Sequence, residues 1–195
     1  MGFIRYIKKD TGKKLVFFVL ILFIISWSVF LYIYSPQRLV DEIGNENALI
    51  FSFIAALVGG TSILFPFPYY LFVFSFGAGG VNPFLLGIFA GLGLIIGDTT
   101  SYLIAYRGKD VLPKKLSKIF DKLCSFCLNK KYKWYVPVFL YFYGAIFPLP
   151  NDLIVVPLGL AKYPYWKMMI PLGLGLITFN TLLALAGLYG LGWFI

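Results

Sequence analysis

Apolar residues in this chain come in long blocks, and the breaks between blocks predict its elements. Positions 15–34 form an apolar block of about 20 residues, enough to cross about 30 Å of hydrocarbon. A linker at 35–47 follows, with Asp41, Glu42 and Glu46 against Arg38. Residues 48–80 are apolar throughout but are cut at Gly59-Gly60 and again at Pro66-x-Pro68. Each proline removes a backbone donor and biases the residue before it away from helix. Backbone freed in this way cannot face lipid; it is buried in protein or lines a watery cavity. The block therefore predicts a re-entrant helical hairpin, and residues 84–106 predict a full span ending at Arg107. The same order returns at 134–161, cut at Pro148-x-Pro150 and at Pro157, and then at 168–193. Between the two sets, Leu112, Leu116, Ile119, Phe120, Leu123, Phe126 and Cys127 recur at three- and four-residue intervals. Lys114, Lys115, Lys118, Asp121 and Lys122 fill the other face, which predicts an amphipathic helix lying in the membrane interface. Packing on another subunit would give the same periodicity.

The recurrence is also one of residues. Phe65-Pro-Phe-Pro-Tyr-Tyr-Leu-Phe-Val-Phe-Ser-Phe-Gly77 returns as Phe147-Pro-Leu-Pro-Asn-Asp-Leu-Ile-Val-Val-Pro-Leu-Gly159. The register then holds without a gap for about 44 positions, about a third of them identical, which marks an internal repeat. Ile88, Gly91, Gly93, Thr99 and Gly108 meet Ile170, Gly173, Gly175, Thr181 and Gly190. The chain thus divides into a basic cytoplasmic tail at 1–14, a transmembrane anchor at 15–34 and repeat unit one at 48–108. A basic interfacial segment at 109–133 and repeat unit two at 134–195 complete it. The expected fold is an all-α integral membrane protein with about three full spans, two re-entrant hairpins and one interfacial helix.

Charge sets the orientation. Arg5, Lys8, Lys9, Lys13 and Lys14 crowd the tail, and a second basic run extends from Arg107 to Lys133, so both belong inside. Unit one then runs outward-to-inward and unit two inward-to-outward, an inverted repeat of the kind transporters use. The protein is expected in the cytoplasmic (plasma) membrane as a multi-pass protein with its N-terminus inside. Composition narrows function: 60% of residues are hydrophobic, 13% are charged and none is histidine. No Ser-His or Cys-His pair and no His-containing zinc site can form, so neither an enzyme, a cofactor nor a metal is expected. Cys124-Ser-Phe-Cys127 stands alone and reads as two reduced side chains on a cytoplasmic helix. The net charge of +9 follows the topology and carries no nucleic-acid-binding module.

Few ionisable residues lie deep in the apolar blocks. Asp98 follows Gly97 within 84–106, and Asp152 follows Asn151 just past the second Pro-x-Pro. In the repeat register Asp98 meets Asn180 and Asp152 meets Tyr70. A carboxylate at membrane depth costs at least about 2.5–3.5 kcal/mol and is usually kept where it pairs, faces water or binds something. Asp152 either lines a polar cavity where the backbone is broken or caps the half-helix that starts there. Asp98 shares a helical face with Ser101 and Tyr102, consistent with a water-lined stripe. Arg107 falls on the opposite face and is expected to snorkel to the inner headgroups.

The run Gly91-x-Gly-x-x-x-Gly97-Asp98-x-x-x-Tyr102-x-x-x-x-Arg107-Gly108, with the two Phe-Pro-x-Pro elements, resembles the DedA family of membrane proteins, also known as VTT-domain or SNARE-associated. The resemblance covers about residues 48–190. It implies two inverted re-entrant hairpins meeting near the midplane and movement of lipids between leaflets, by scrambling or by lipid-phosphate flipping. It implicates Asp98 and Arg107 in the first motif and Pro148, Pro150, Asn151 and Asp152 in the second. The family's usual glutamate after the first motif is replaced here by Tyr69-Tyr70, and the usual arginines near the second motif by Gly144, Ala145 and Asp152. These departures favour passive scrambling or a different headgroup. The expected lipid path is Asp98, Asn151, Asp152, Arg107 and Tyr102, with Pro66, Pro68, Pro148 and Pro150 breaking the hairpins. Membrane lipids, anionic and lipid-phosphate ones included, are the expected partners; nucleic acid is not, and a homo-oligomer is left open. The alternative is a secondary carrier for a small solute or ion, coupled through Asp152.

Overall fold

The computed structural model describes residues 18–19, 21–30, 33–61, 67–111, 113–129, 132–147 and 149–190. The basic tail at 1–14, Leu112, Pro66 and Pro148 lie outside the described residues. Among the described residues the secondary structure is helical, with no strand. Within the block 15–34, helix α1 (Ile21–Phe30) is described. It is followed by α2 (Pro36–Ile43), α3 (Asn45–Thr61), α4 (Tyr70–Ala78) and α5 (Pro83–Gly108). A 3-10 turn (Lys109–Val111) leads to α6 (Lys114–Leu128), α7 (Tyr135–Ile146), α8 (Asp152–Leu160) and α9 (Tyr165–Gly190).

Helix α2 corrects the linker expected at 35–47. Ser35 caps it by accepting from the Arg38 amide, Pro36 occupies its first turn, and Gly44, at φ 83°, ends it by donating to the Val40 carbonyl. These signals are present in the sequence, but the helix is too short for a periodicity reading to register. It meets α3 at 103°.

At 26 residues each, α5 and α9 extend about 39 Å, more than the hydrocarbon thickness. Both are long and apolar enough to cross a membrane; α2 and α3 would supply a third span if taken as one bent pair. Phe84, Leu85, Ile88, Leu92 and Ile96 form an exposed apolar stripe along α5, with Trp166, Ile170 and Leu174 exposed on α9. At nine residues, α4 and α8 extend about 13 Å, under half of that thickness.

The second set of helices reproduces the first. In the register that lays Phe147 on Phe65, α8 begins and ends where α4 does and α9 where α5 does. Packing repeats as well. Gly77 of α4 presses against Ala184 of α9, and Gly159 of α8 against Tyr102 of α5; Tyr102 and Ala184 are themselves register partners. Helices α5 and α9 run antiparallel, because Gly87 meets Thr181, Gly91 meets Ile177 and Gly173 meets Ile95. Small residues at these crossings let the backbones approach closely. Upstream of Phe65 the register slips: Gly93 meets Phe53 of α3, whereas Gly175 meets Tyr141 of α7, not Phe53's formal partner Tyr135. The stretch from Thr61 to Tyr70 is longer than that from Ile146 to Asp152 by three residues, which accounts for half of this six-residue slip.

The turns after the half-helices match too. The Val81 amide bonds the Phe76 carbonyl at 3.1 Å, and the Tyr163 amide bonds the Leu158 carbonyl at 2.9 Å. Each turn needs a left-handed residue, supplied by Gly80 at φ 89° and by Lys162 at φ 56°. Helix α6 divides its apolar face. Cys127 is buried and Leu123 half-buried where α6 packs on α8, while Ile119 and Phe126 remain exposed.

Candidate functional site

Two breaks in the helical framework converge on the middle of α5. The end of α3 reaches that point because Gly60 and Gly97 allow near backbone contact: a Cβ on Gly97 would fall 2.6 Å from the Gly60 carbonyl carbon. A Cβ on Gly59 would strike the Tyr69 ring at 2.8 Å, so Tyr69 lies against the same place. From the other side, Tyr143 of α7 donates to the Pro150 carbonyl at 3.1 Å and holds the second break. A cavity of about 610 Å³ lies between them. Its polar lining is Tyr69, Tyr70, Asp98, Asn151 and Asp152, and the rest of its wall is glycine, proline and apolar side chains.

Asp98 is 1% exposed. Its carboxylate accepts from the Asn151 side-chain amide at 2.8 Å, a bond that ties the second break to α5. Asp152 lines the same cavity as Asp98. A buried carboxylate is ordinarily held by a cation or by several donors. Here, among the described residues, the donor is one neutral amide, and a second acid lines the same cavity. The register partners repeat the geometry with different chemistry: Tyr69 corresponds to Asn151 and Asn180 to Asp98, and Tyr69 sits beside fully buried Asn180. Asn180 donates to the Leu176 carbonyl at 2.8 Å, while its oxygen has no hydrogen bond among the described residues. Both acids therefore stand on one side of a nearly symmetric framework.

The capping role for Asp152 is not what the geometry contains. Asn151 occupies the N-cap position of α8 without making a side-chain cap bond, and its side-chain nitrogen donates to Asp98. Asp152 Oδ1 is enclosed and has no hydrogen-bond partner among the described residues. An enclosed oxygen of this kind marks a place where water, an ion or a ligand group supplies the missing donor.

Of the residues picked from sequence, Asp98, Asn151, Asp152 and Pro150 line the cavity together. Pro68 lies in the first break, just before Tyr69. Tyr102 is elsewhere: it is 4% exposed, and its hydroxyl donates to the Tyr163 carbonyl at 2.7 Å, fastening the α8–α9 turn to α5. Thr99 and the Tyr165 hydroxyl, 2.8 Å apart, make a second tie at the same turn. Arg107 is exposed at the end of α5, about 13 Å along the helix from Asp98. Tyr69 and Tyr70 were not singled out from sequence as lining residues. Their signal was the register itself, which places them opposite Asn151 and Asp152. Among the described residues no group of three potential metal ligands occurs. No protein-family model matches the chain, and neither does any curated protein or any solved structure.

Proposed function

We propose that this chain is a membrane lipid translocase of the DedA type, moving lipid headgroups between leaflets through the cavity at Asp98, Asn151 and Asp152. The observation that carries the reading is that cavity. It brings Asp98, Asn151 and Asp152 together with Tyr69 and Tyr70 where two helical pairs are broken. A lipid that changes leaflet needs such a path for its headgroup, while its tails stay in hydrocarbon. The antiparallel α5 and α9, with their matched contacts, support an inverted repeat. The shortness of α4 and α8 supports re-entrant hairpins in a multi-pass protein of the plasma membrane. The two neutral tyrosines at the first break favour passive scrambling over proton-driven flipping.

The test is lipid scrambling by the purified protein in liposomes whose labelled lipids start in both leaflets. A membrane-impermeant quencher is expected to remove well over half the signal, and Asp152→Asn and Asp98→Asn are expected to slow that loss. Quenching of the outer half alone would refute translocation. A second reading, a solute carrier coupled through Asp152, draws on the two acids in one cavity. It predicts saturable uptake that needs a gradient, which a scramblase does not.

A further inference from the structure

The polar cavity has an apolar neighbour. A groove of about 400 Å³ lies between α6, α7 and α8, walled by Leu123, Cys127, Val136, Phe139, Leu140 and Leu158. Leu153 and Pro157 of α8 line both spaces, so the polar cavity and the groove adjoin along one face of that helix. A chamber that carries two acids and an amide and continues into a mainly apolar slot has the layout of a site for a single amphiphile.

The charge of the chamber selects the head. Asp98 and Asp152 line it, and among the described residues no lysine or arginine does. A phosphate monoester would meet two carboxylates with no cation to offset them, and like charges placed together in a low-dielectric site repel strongly. An ammonium group suits the same place. It brings the hydrogen-bond donors that the enclosed Asp152 oxygen lacks, and Tyr69, Tyr70 and Phe147, aromatic residues of the kind that attract cations, line the same space. The groove is walled mainly by apolar side chains, with Tyr132 and Tyr135 as its hydroxyl-bearing residues and no charged residue among its lining, so its occupant is an acyl chain, held by burial of apolar surface.

We propose that the cavity and the groove form one bipartite site for an amine-headed glycerophospholipid, its ammonium at Asp98 and Asp152 and one acyl chain between α6, α7 and α8. The proposal rests on the translocase reading and names its substrate class.

The experiment compares acyl-labelled phosphatidylethanolamine with acyl-labelled phosphatidylglycerol in the liposome assay. Phosphatidylethanolamine is expected to cross about tenfold faster, and Asp152→Asn to bring the two rates within about twofold, because the discriminating charge is removed. Leu153→Trp, at an exposed position where the two spaces meet, is expected to slow phosphatidylethanolamine about tenfold by blocking the chain's route, with an unchanged melting temperature. Equal wild-type rates for the two headgroups would overturn the headgroup assignment and leave the translocase standing. An unchanged rate in Leu153→Trp would overturn the groove assignment. If neither lipid crosses, the translocase reading falls. Native mass spectrometry of the full chain, mixed with equal amounts of the two lipids, then decides the site. Preferential retention of phosphatidylethanolamine, lost in Asp152→Asn, sustains it; equal retention of both overturns it.

Discussion

Glycine and one lysine carry much of the packing information at the residue scale. At Gly77 an added methyl would press into the Ala184 backbone, which cannot move aside as a flexible side chain would. Gly77→Ala is expected to destabilise the protein by about 1–3 kcal/mol, seen as a lower melting temperature in detergent. Gly108→Ala, with nothing within 4 Å of the new methyl, should leave it unchanged. Lys162 is the residue out of place: it holds the left-handed conformation that its register partner Gly80 adopts freely. Its ammonium pairs with Asp110 at 2.8 Å and stands 5.1 Å from the Tyr106 ring centre. The hydrogen bond to Asp110 pushes the Lys162 pKa up. The pair is therefore present at neutral pH and is lost only as pH rises past the usual lysine range. An exposed pair contributes little, so Lys162→Gly is expected to raise the melting temperature at pH 7 by relieving the backbone. A fall would mean that the pair outweighs the strain.

At the element scale, what could be read depended on length and periodicity. The 26-residue helices were legible because their apolar blocks exceed what any soluble helix needs, and α4 and α8 because a Pro-x-Pro break stands just before each one. Helix α2 escaped as a polar eight-residue element whose only signals are its caps. Helix α6 was legible as amphipathic, but not the division of its apolar face between α8 and the outside. Burial of Cys127 depends on where α8 lies, which no periodicity records. Its exposed Lys118 and Lys122, with exposed Ile119 and Phe126, predict that a peptide of α6 floats with anionic vesicles and is released by high salt. Flotation indifferent to lipid charge would remove the interfacial role.

The whole molecule raises the question of orientation. If the two units lie oppositely in the bilayer, α5 and α9 start at opposite faces. In a background with Cys124 and Cys127 changed to serine, Phe84→Cys and Lys167→Cys are expected to react with an impermeant maleimide from opposite sides of sealed vesicles. Labelling of both from one side would remove the inverted orientation and, with it, the path between leaflets. The arrangement of contacts also explains why the site is lopsided. One framework is used twice, yet Asn151 and Asp98 meet at one break while Tyr69 and Asn180 meet at the other.

The sequence by itself determined the repeat, the long helices, the places where helix is broken and the residues at those breaks. All of these depend on local backbone chemistry and on spacing along the chain. It also marked Asp98, Asn151 and Asp152 as polar residues in apolar surroundings. Only the tertiary structure decided that these three share one cavity, that Tyr69 and Tyr70 join them, and that Tyr102 and Arg107 do not. Such groupings depend on how α3, α5 and α8 meet in space. That meeting is governed by glycine contacts between helices distant in sequence, at Gly60 with Gly97 and at Gly159 with Tyr102, which no reading along the chain can pair.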